Sequence, residues 1–202
     1  ITAERREGLL SIGALLTIWA SSNGIYAIMQ QLNRTYDVKE SRPFWKVRST
    51  AILLMIGFVL ILVVAFSLIV FGDFLQTWLA QRWDLGPTLN IAFTALRWTI
   101  IAALLLLVFA LIYYYGPDVE QDFRFITPGS VAGVGILALA SLGFRYYVMN
   151  FGNYAASYGS LGAVIALMLW LYIVGHVILL GSELNALIEH YSPVGKEKGE
   201  KV

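Results

Sequence analysis

The chain has 202 residues, of which 58% are hydrophobic and only 13% charged, and its mean hydropathy is +0.71. Soluble domains carry roughly 25% charged residues, so this composition indicates an integral membrane protein. The 14 Lys and Arg nearly cancel the 13 Asp and Glu, which excludes a strongly basic nucleic-acid surface, and the absence of cysteine excludes disulfides, thiolate chemistry and cysteine-ligated zinc.

The first residue is Ile1, and Ile1–Gly8 carries charge without the apolar core of a cleavable signal. The start is therefore expected to be processed or truncated. Five stretches, Gly8–Met29, Val47–Gly72, Ala92–Tyr115, Pro128–Met149 and Ser160–Leu187, are long and apolar enough to cross a hydrocarbon core of about 30 Å. Unpaired backbone groups are costly in lipid, and the stretches lack period-two alternation, so each is predicted to be a helix. The predicted fold is an all-α polytopic transmembrane bundle, one domain over 1–191, with a disordered cytoplasmic tail over 192–202.

After the first span, RTYDVKESRPFWKVR places Arg34, Lys39, Arg42, Lys46 and Arg48 around Trp45, a pattern suited to a positive-inside anchor and to cytoplasmic lipid headgroups. After the second, DFLQTWLAQRW puts Phe74, Leu75, Trp78 and Leu79 on one face behind a candidate N-cap, Asp73. This predicts a short interfacial helix over about 73–83. The loop GPDVEQDFRFIT follows the third span.

Lys and Arg fall nine to five in favour of the side holding loops 30–48 and 116–127 and the tail. The charge bias places that side in the cytoplasm and the N-terminus outside. Gly13, Thr17, Ser21 and Gly24 form a small-residue stripe, Gly129 and Gly133 a GxxxG pair, and Gly162 and Ala166 repeat that spacing after Gly159. Such stripes let backbones approach, so the first, fourth and fifth spans are expected to form the inner bundle. The second span, little but Leu, Ile, Val, Phe and Ala, is expected to face lipid over much of its surface.

Between the last two spans lies NFGNYAASYGSLG. Asn150, Asn153, Tyr154, Tyr158 and Ser160 fit either a wet outer turn or a polar vestibule lined by broken helix. Arg145 fits either snorkelling to the headgroups or a contact with a phosphate or carboxylate at the outer mouth, and Arg97 has the same two readings. Glu183 suits a cap, a pair with Arg48 or Arg124, or gating; Asn185 goes with it. A Tyr172–His176–Glu183 ladder is the sharper use of His176, and a packed neutral imidazole the plainer one. His176 and His190 lack metal-ligand spacing, no GxSxG, HExxH or Walker A pattern occurs, and Asp118, Glu120 and Asp122 alternate in one solvated loop. Neither an enzyme nor a cofactor is expected.

Three stretches, NRTYDVKESRPFWKVR, YYYGPDVEQDFRFITPGSVAG and NFGNYAASYGSLGAVIALMLWLY…LLGSELNA, resemble in order and spacing the blocks of the YihY/virulence-factor BrkB family of bacterial inner-membrane proteins. The resemblance covers about residues 8–190. It implies a six-helix inner-membrane protein with both ends cytoplasmic, so the family's first helix is expected to be missing here, in line with the outward N-terminus. It also implies a link to resistance to host killing and to envelope lipid or solute translocation. Tyr154, Tyr158, Gly159, Ser160, Gly162, Trp170, Gly181, Glu183 and Asn185 carry over by motif, as do Pro43, Phe44, Gly116, Pro117, Pro128 and Gly129. His176 departs from a position that the family pattern leaves apolar. The expected function is a non-ATP-driven transporter or flippase-like protein for an amphiphilic or anionic envelope substrate. The alternative is a non-transporting envelope scaffold, and the expected partners are membrane lipids and a second copy or another envelope protein.

Overall fold

The computed structural model describes residues 2–83, 87–151 and 160–191. Among the described residues there are five helices: α1 (Thr2–Thr35), α2 (Phe44–Trp83), α3 (Pro87–Tyr115), α4 (Pro128–Phe151) and α5 (Ser160–His190). All five contain stretches long and apolar enough to cross a membrane. The protein is an all-α polytopic membrane bundle.

The helices outrun the predicted spans. Proline opens both α3 and α4, where its missing N–H costs nothing. The 40 residues of α2 run to about 60 Å, twice the hydrocarbon thickness. The expected interfacial helix over 73–83 is not a separate element, because α2 continues through Gly72 and Asp73 unbroken. Asp73 is therefore no N-cap, and its carboxylate instead accepts a hydrogen bond from Arg97 Nη1 on α3 at 2.6 Å. A Cβ on Gly72 would meet Arg97 Cδ at 2.5 Å, so glycine leaves the room in which that arginine lies.

Each helix packs on the next in sequence and α5 returns to α1, closing a ring in which α4 and α5 form the most extensive pair. The buried core is asymmetric along the bundle. Met29 and Leu32 of α1, Val47, Ala51 and Leu54 of α2, Phe109, Ile112 and Tyr113 of α3, and Val177 and Ile178 of α5 gather at one end. This is the end at which loops 36–43 and 116–127 join the helices, and we call it the loop end. Toward the far end Leu15, Phe66, Val70, Leu142, Leu161 and Met168 are exposed.

The inner bundle differs from the expectation. Both α2 and α3 supply core side chains, while the α1 stripe does not pack: Gly13 and Gly24 have open space where a Cβ would stand, and Thr17 and Ser21 are exposed. The buried face of α1 is rotated to Ser22, Met29, Leu32 and Asn33, because the Met and Leu side chains fill the core and set the helix's rotation. The glycine pair of α4 does pack. A Cβ on Gly129 would collide with the Gly181 carbonyl of α5, and one on Gly133 would meet Phe109 at 2.6 Å. Gly162 and Ala166 are half-buried.

Candidate functional site

The densest polar construction lies at the loop end. Asp37 takes a left-handed backbone (φ 54°) just past α1, a conformation open to Asp through local hydrogen bonding. The turn lets Val38 N–H bond back to the Asn33 carbonyl at 2.9 Å. The reversal directs loop 36–43 across the bundle toward the 116–127 loop.

Asn33, only 4% exposed, joins the two loops. Its amide Nδ2 donates to Glu40 Oε2 at 2.9 Å, and its Oδ1 accepts the Asp118 backbone N–H at 2.7 Å. Arg42 donates to Glu40 through Nε (2.7 Å) and Nη2 (2.8 Å), and to the carbonyls of Tyr115 (3.2 Å) and Gly116 (2.9 Å). Asp118 lies 3.6 Å from Arg42 Nε and accepts from the Ser41 N–H at 2.8 Å and hydroxyl at 2.6 Å. Burial pushes the Glu40 carboxyl up, but the hydrogen bonds from Arg42 and Asn33 outweigh it and hold Glu40 below the ordinary carboxylate range. The same bond to Glu40 raises Arg42 against its own burial. Burial, reinforced by Glu189, raises the Tyr36 phenol. The result is a clasp in which one guanidinium stands between two carboxylates, and it ties the end of α1, the segment leading into α2 and the end of α3 together.

Beneath the clasp, Thr127 and Ser130 form a reciprocal cap on α4: Ser130 N–H donates to Thr127 Oγ1 at 3.1 Å and Thr127 N–H to Ser130 Oγ at 2.9 Å. Asn185 completes it from α5, accepting the Gly129 N–H at 2.7 Å and donating to Thr127 Oγ1 at 3.0 Å. Tyr113 donates its hydroxyl to the Ile178 carbonyl at 2.9 Å in a buried bond. Asn185 is thus an interhelical cap holding α4 to α5.

The basic residues expected at lipid headgroups divide into two groups. Arg34, Lys39, Lys46 and Trp45 are exposed at the loop end. Arg42 and Arg48 are not available there. Arg42 is spent on the clasp. Arg48 is 6% exposed, lies against the Trp19 ring with its guanidinium carbon 3.7 Å from the centroid, and donates to Asn23 Oδ1 (2.7 Å) and the Trp19 carbonyl (2.6 Å). It pins α2 to α1, a role that a side-to-side count of charges cannot reveal.

The ladder on α5 faces away from the core. Tyr172, His176 and Glu183 are exposed, whereas Val177, Ile178, Gly181 and Ser182 are buried on the opposite side of the helix. His176 Nδ1 is 2.9 Å from the Tyr172 carbonyl. Among the described residues no hydrogen bond or ion pair reaches Glu183, so it meets neither Arg48 nor Arg124.

At the far end, Arg145 and Asn150 are exposed, and the Asn150 amide donates to the Tyr146 carbonyl at 2.8 Å. Asn153, Tyr154, Tyr158 and Gly159 lie outside the described residues, as does the Ser160 side chain. Phe144 braces α4 on α5 through Trp170, with ring centroids 5.2 Å apart. Beside the Asp73–Arg97 pair, Gln76 of α2 donates to Asn90 and to Thr94 Oγ1 (3.0 Å) of α3. Sequence reasoning missed the roles of Asn33, Glu40 and Ser41, of Trp19 and Asn23, and of this α2–α3 polar seam. The seam's legible signals were Asp73, read as a cap, and Arg97, read as snorkelling or meeting an anion; neither reading contained their pairing. Among the described residues no three His, Asp or Glu side chains are grouped to hold a metal ion.

A family model described as Virulence factor BrkB matches residues 1–202. The chain belongs to the BrkB family. Among BrkB-like relatives, it is 40% identical to the putative ribonuclease-like protein YfkH of Bacillus subtilis over 91% of this chain and 67% of that protein. It is 28% identical to a UPF0761 membrane protein of Aeromonas salmonicida over 93% of this chain and 62% of the relative. A UPF0761 membrane protein of Tolumonas auensis matches at 27% identity over 95% and 61% of the two chains. The chain therefore spans between three fifths and about two thirds of the length of these relatives. No solved structure matches the chain. This BrkB-family chain is a multi-pass membrane protein.

Proposed function

We propose that the protein is a non-ATP-driven transporter or flippase-like protein of the bacterial inner membrane, acting on an amphiphilic or anionic envelope substrate. Its main support is the unequal closure of the bundle. The core and the Asn33–Glu40–Arg42–Asp118 clasp gather at the loop end, while side chains of the far half stand exposed. A conduit needs one end shut while the other admits cargo. In this proposal the loop end is cytoplasmic, following its excess of Lys and Arg, and the C-terminus lies on the same side.

The polar vestibule is assigned to Arg145, Asn150, Asn153, Tyr154, Tyr158 and Ser160. Arg145 would meet a phosphate or carboxylate, with amide and phenol groups offering uncharged hydrogen bonds. The proposal includes no covalent step, and the ribonuclease-like wording stays with the Bacillus protein. The test is reconstitution of the purified protein in liposomes with a fluorescent phospholipid in the inner leaflet. The wild type is expected to speed its appearance outside, and the double variant Arg145→Ala, Tyr158→Phe to slow it about tenfold. A wild type no faster than empty liposomes, or a double variant equal to wild type, overturns the proposal.

A further inference from the structure

We infer that the outward face of α5 around His176 is an interface between two copies of this chain. His176 stands midway along Ser160–His190, on the face opposite the buried Val177 and Gly181. Its Nδ1 lies 2.9 Å from the Tyr172 carbonyl. A carbonyl oxygen only accepts, so the ring proton sits on Nδ1 and Nε2 is left as a bare acceptor. Tyr172, 64% exposed, carries a hydroxyl that makes no hydrogen bond among the described residues. The two rings are 4.1 Å apart between centroids, so the free acceptor and the free donor belong to one patch of the helix face.

Acyl chains can satisfy neither group, and polar side chains within membrane helices face protein or a water-filled cavity. This face points away from the chain's own core, so its covering comes from outside the five helices. A second copy fits because the face is self-complementary. A two-fold axis along the membrane normal brings equal levels of the two α5 helices together, setting each chain's Tyr172 hydroxyl against the other's His176 Nε2. Both unmet groups of both chains are then paired by one isologous contact. Met168 and Ile165, exposed one and two turns from Tyr172 toward the start of α5 on the same side, extend the contact with apolar surface.

The natural lack of cysteine makes the test direct. Single Ile165→Cys and Met168→Cys substitutions are introduced into the full chain, with Val63→Cys on exposed α2 as the control, and each is oxidised in native membranes. Disulfide-linked dimers are expected at 165 and 168 and not at 63. Adding His176→Leu or Tyr172→Phe, both at exposed positions that leave the core intact, is expected to lower the dimer yield at least about threefold. Absence of dimers, equal yield at the α2 control, insensitivity to both ladder substitutions, or adducts with a different membrane protein in place of the dimer would each overturn the inference. Lipid movement in liposomes is a separate readout, so failure here leaves the transport proposal to its own test.

Discussion

Glu40 and Asn185 show how single polar side chains decide the shape of the loop end. Glu40 is held below the ordinary carboxylate range by Arg42 and Asn33, so its contribution to stability is fully present above the unfolded carboxylate pKa of about 4.3. That contribution is lost as pH falls through the lower folded value. Thermal unfolding in detergent is therefore expected to show a decline in Tm below about pH 4.3 that is shallower in Glu40→Gln than in wild type; parallel declines would refute the assignment. Asn185→Ala strips the Gly129 N–H of its partner and removes one of the two hydrogen bonds at Thr127 Oγ1, and is expected to cost about 1–3 kcal/mol, the usual penalty for an unmet buried group. Denaturant titration of the two proteins measures it. Asn185 was legible as a polar residue on an apolar helix, but its partners were not, since they lie 56 and 58 positions away in sequence. Arg48 was misjudged for the same reason. Its position one turn into α2 suits an anchor, and only the neighbouring α1 turns it inward onto Trp19.

Among the helices, existence was easier to read than extent or rotation. All five followed from length and hydropathy, because bilayer thickness fixes what a spanning segment requires. The Gly129–Gly133 spacing also told the truth: those residues lie where α4 meets α5 and α3. An equally regular stripe on α1 did not, since small residues permit close approach without compelling it. The division of α2 at Gly72-Asp73 was mistaken because a cap and a mid-helix ion pair look alike until α3 supplies Arg97. The α4–α5 crossing offers a sharp test. A Cβ on Gly181 would press on the Tyr113 hydroxyl and the Gly129 carbonyl, 2.6 Å away in the latter case. Gly181→Ala is expected to destabilise the protein by about 1–3 kcal/mol through overpacking, whereas Gly175→Ala, with open space around it, should be near neutral or slightly stabilising. Equal Tm values for the two variants would mean that the crossing is not close.

For the whole molecule, the concentration of core and clasp at one end was beyond the reach of sequence. Apolar residues fill every span nearly evenly, and periodicity separates faces of a helix but not its upper half from its lower. The charge bias did single out that end as chemically distinct. The tethered end also makes the bundle mechanically unequal. With α5 held near Val177, Leu161 stands sixteen residues farther along, a lever of about 24 Å. A rocking of about 5° at such a pivot carries the tip through about 2 Å by the same helical rise, close to the width of a hydrogen-bonding contact. Thinning or thickening the surrounding bilayer acts on that arm more strongly than on the knotted base.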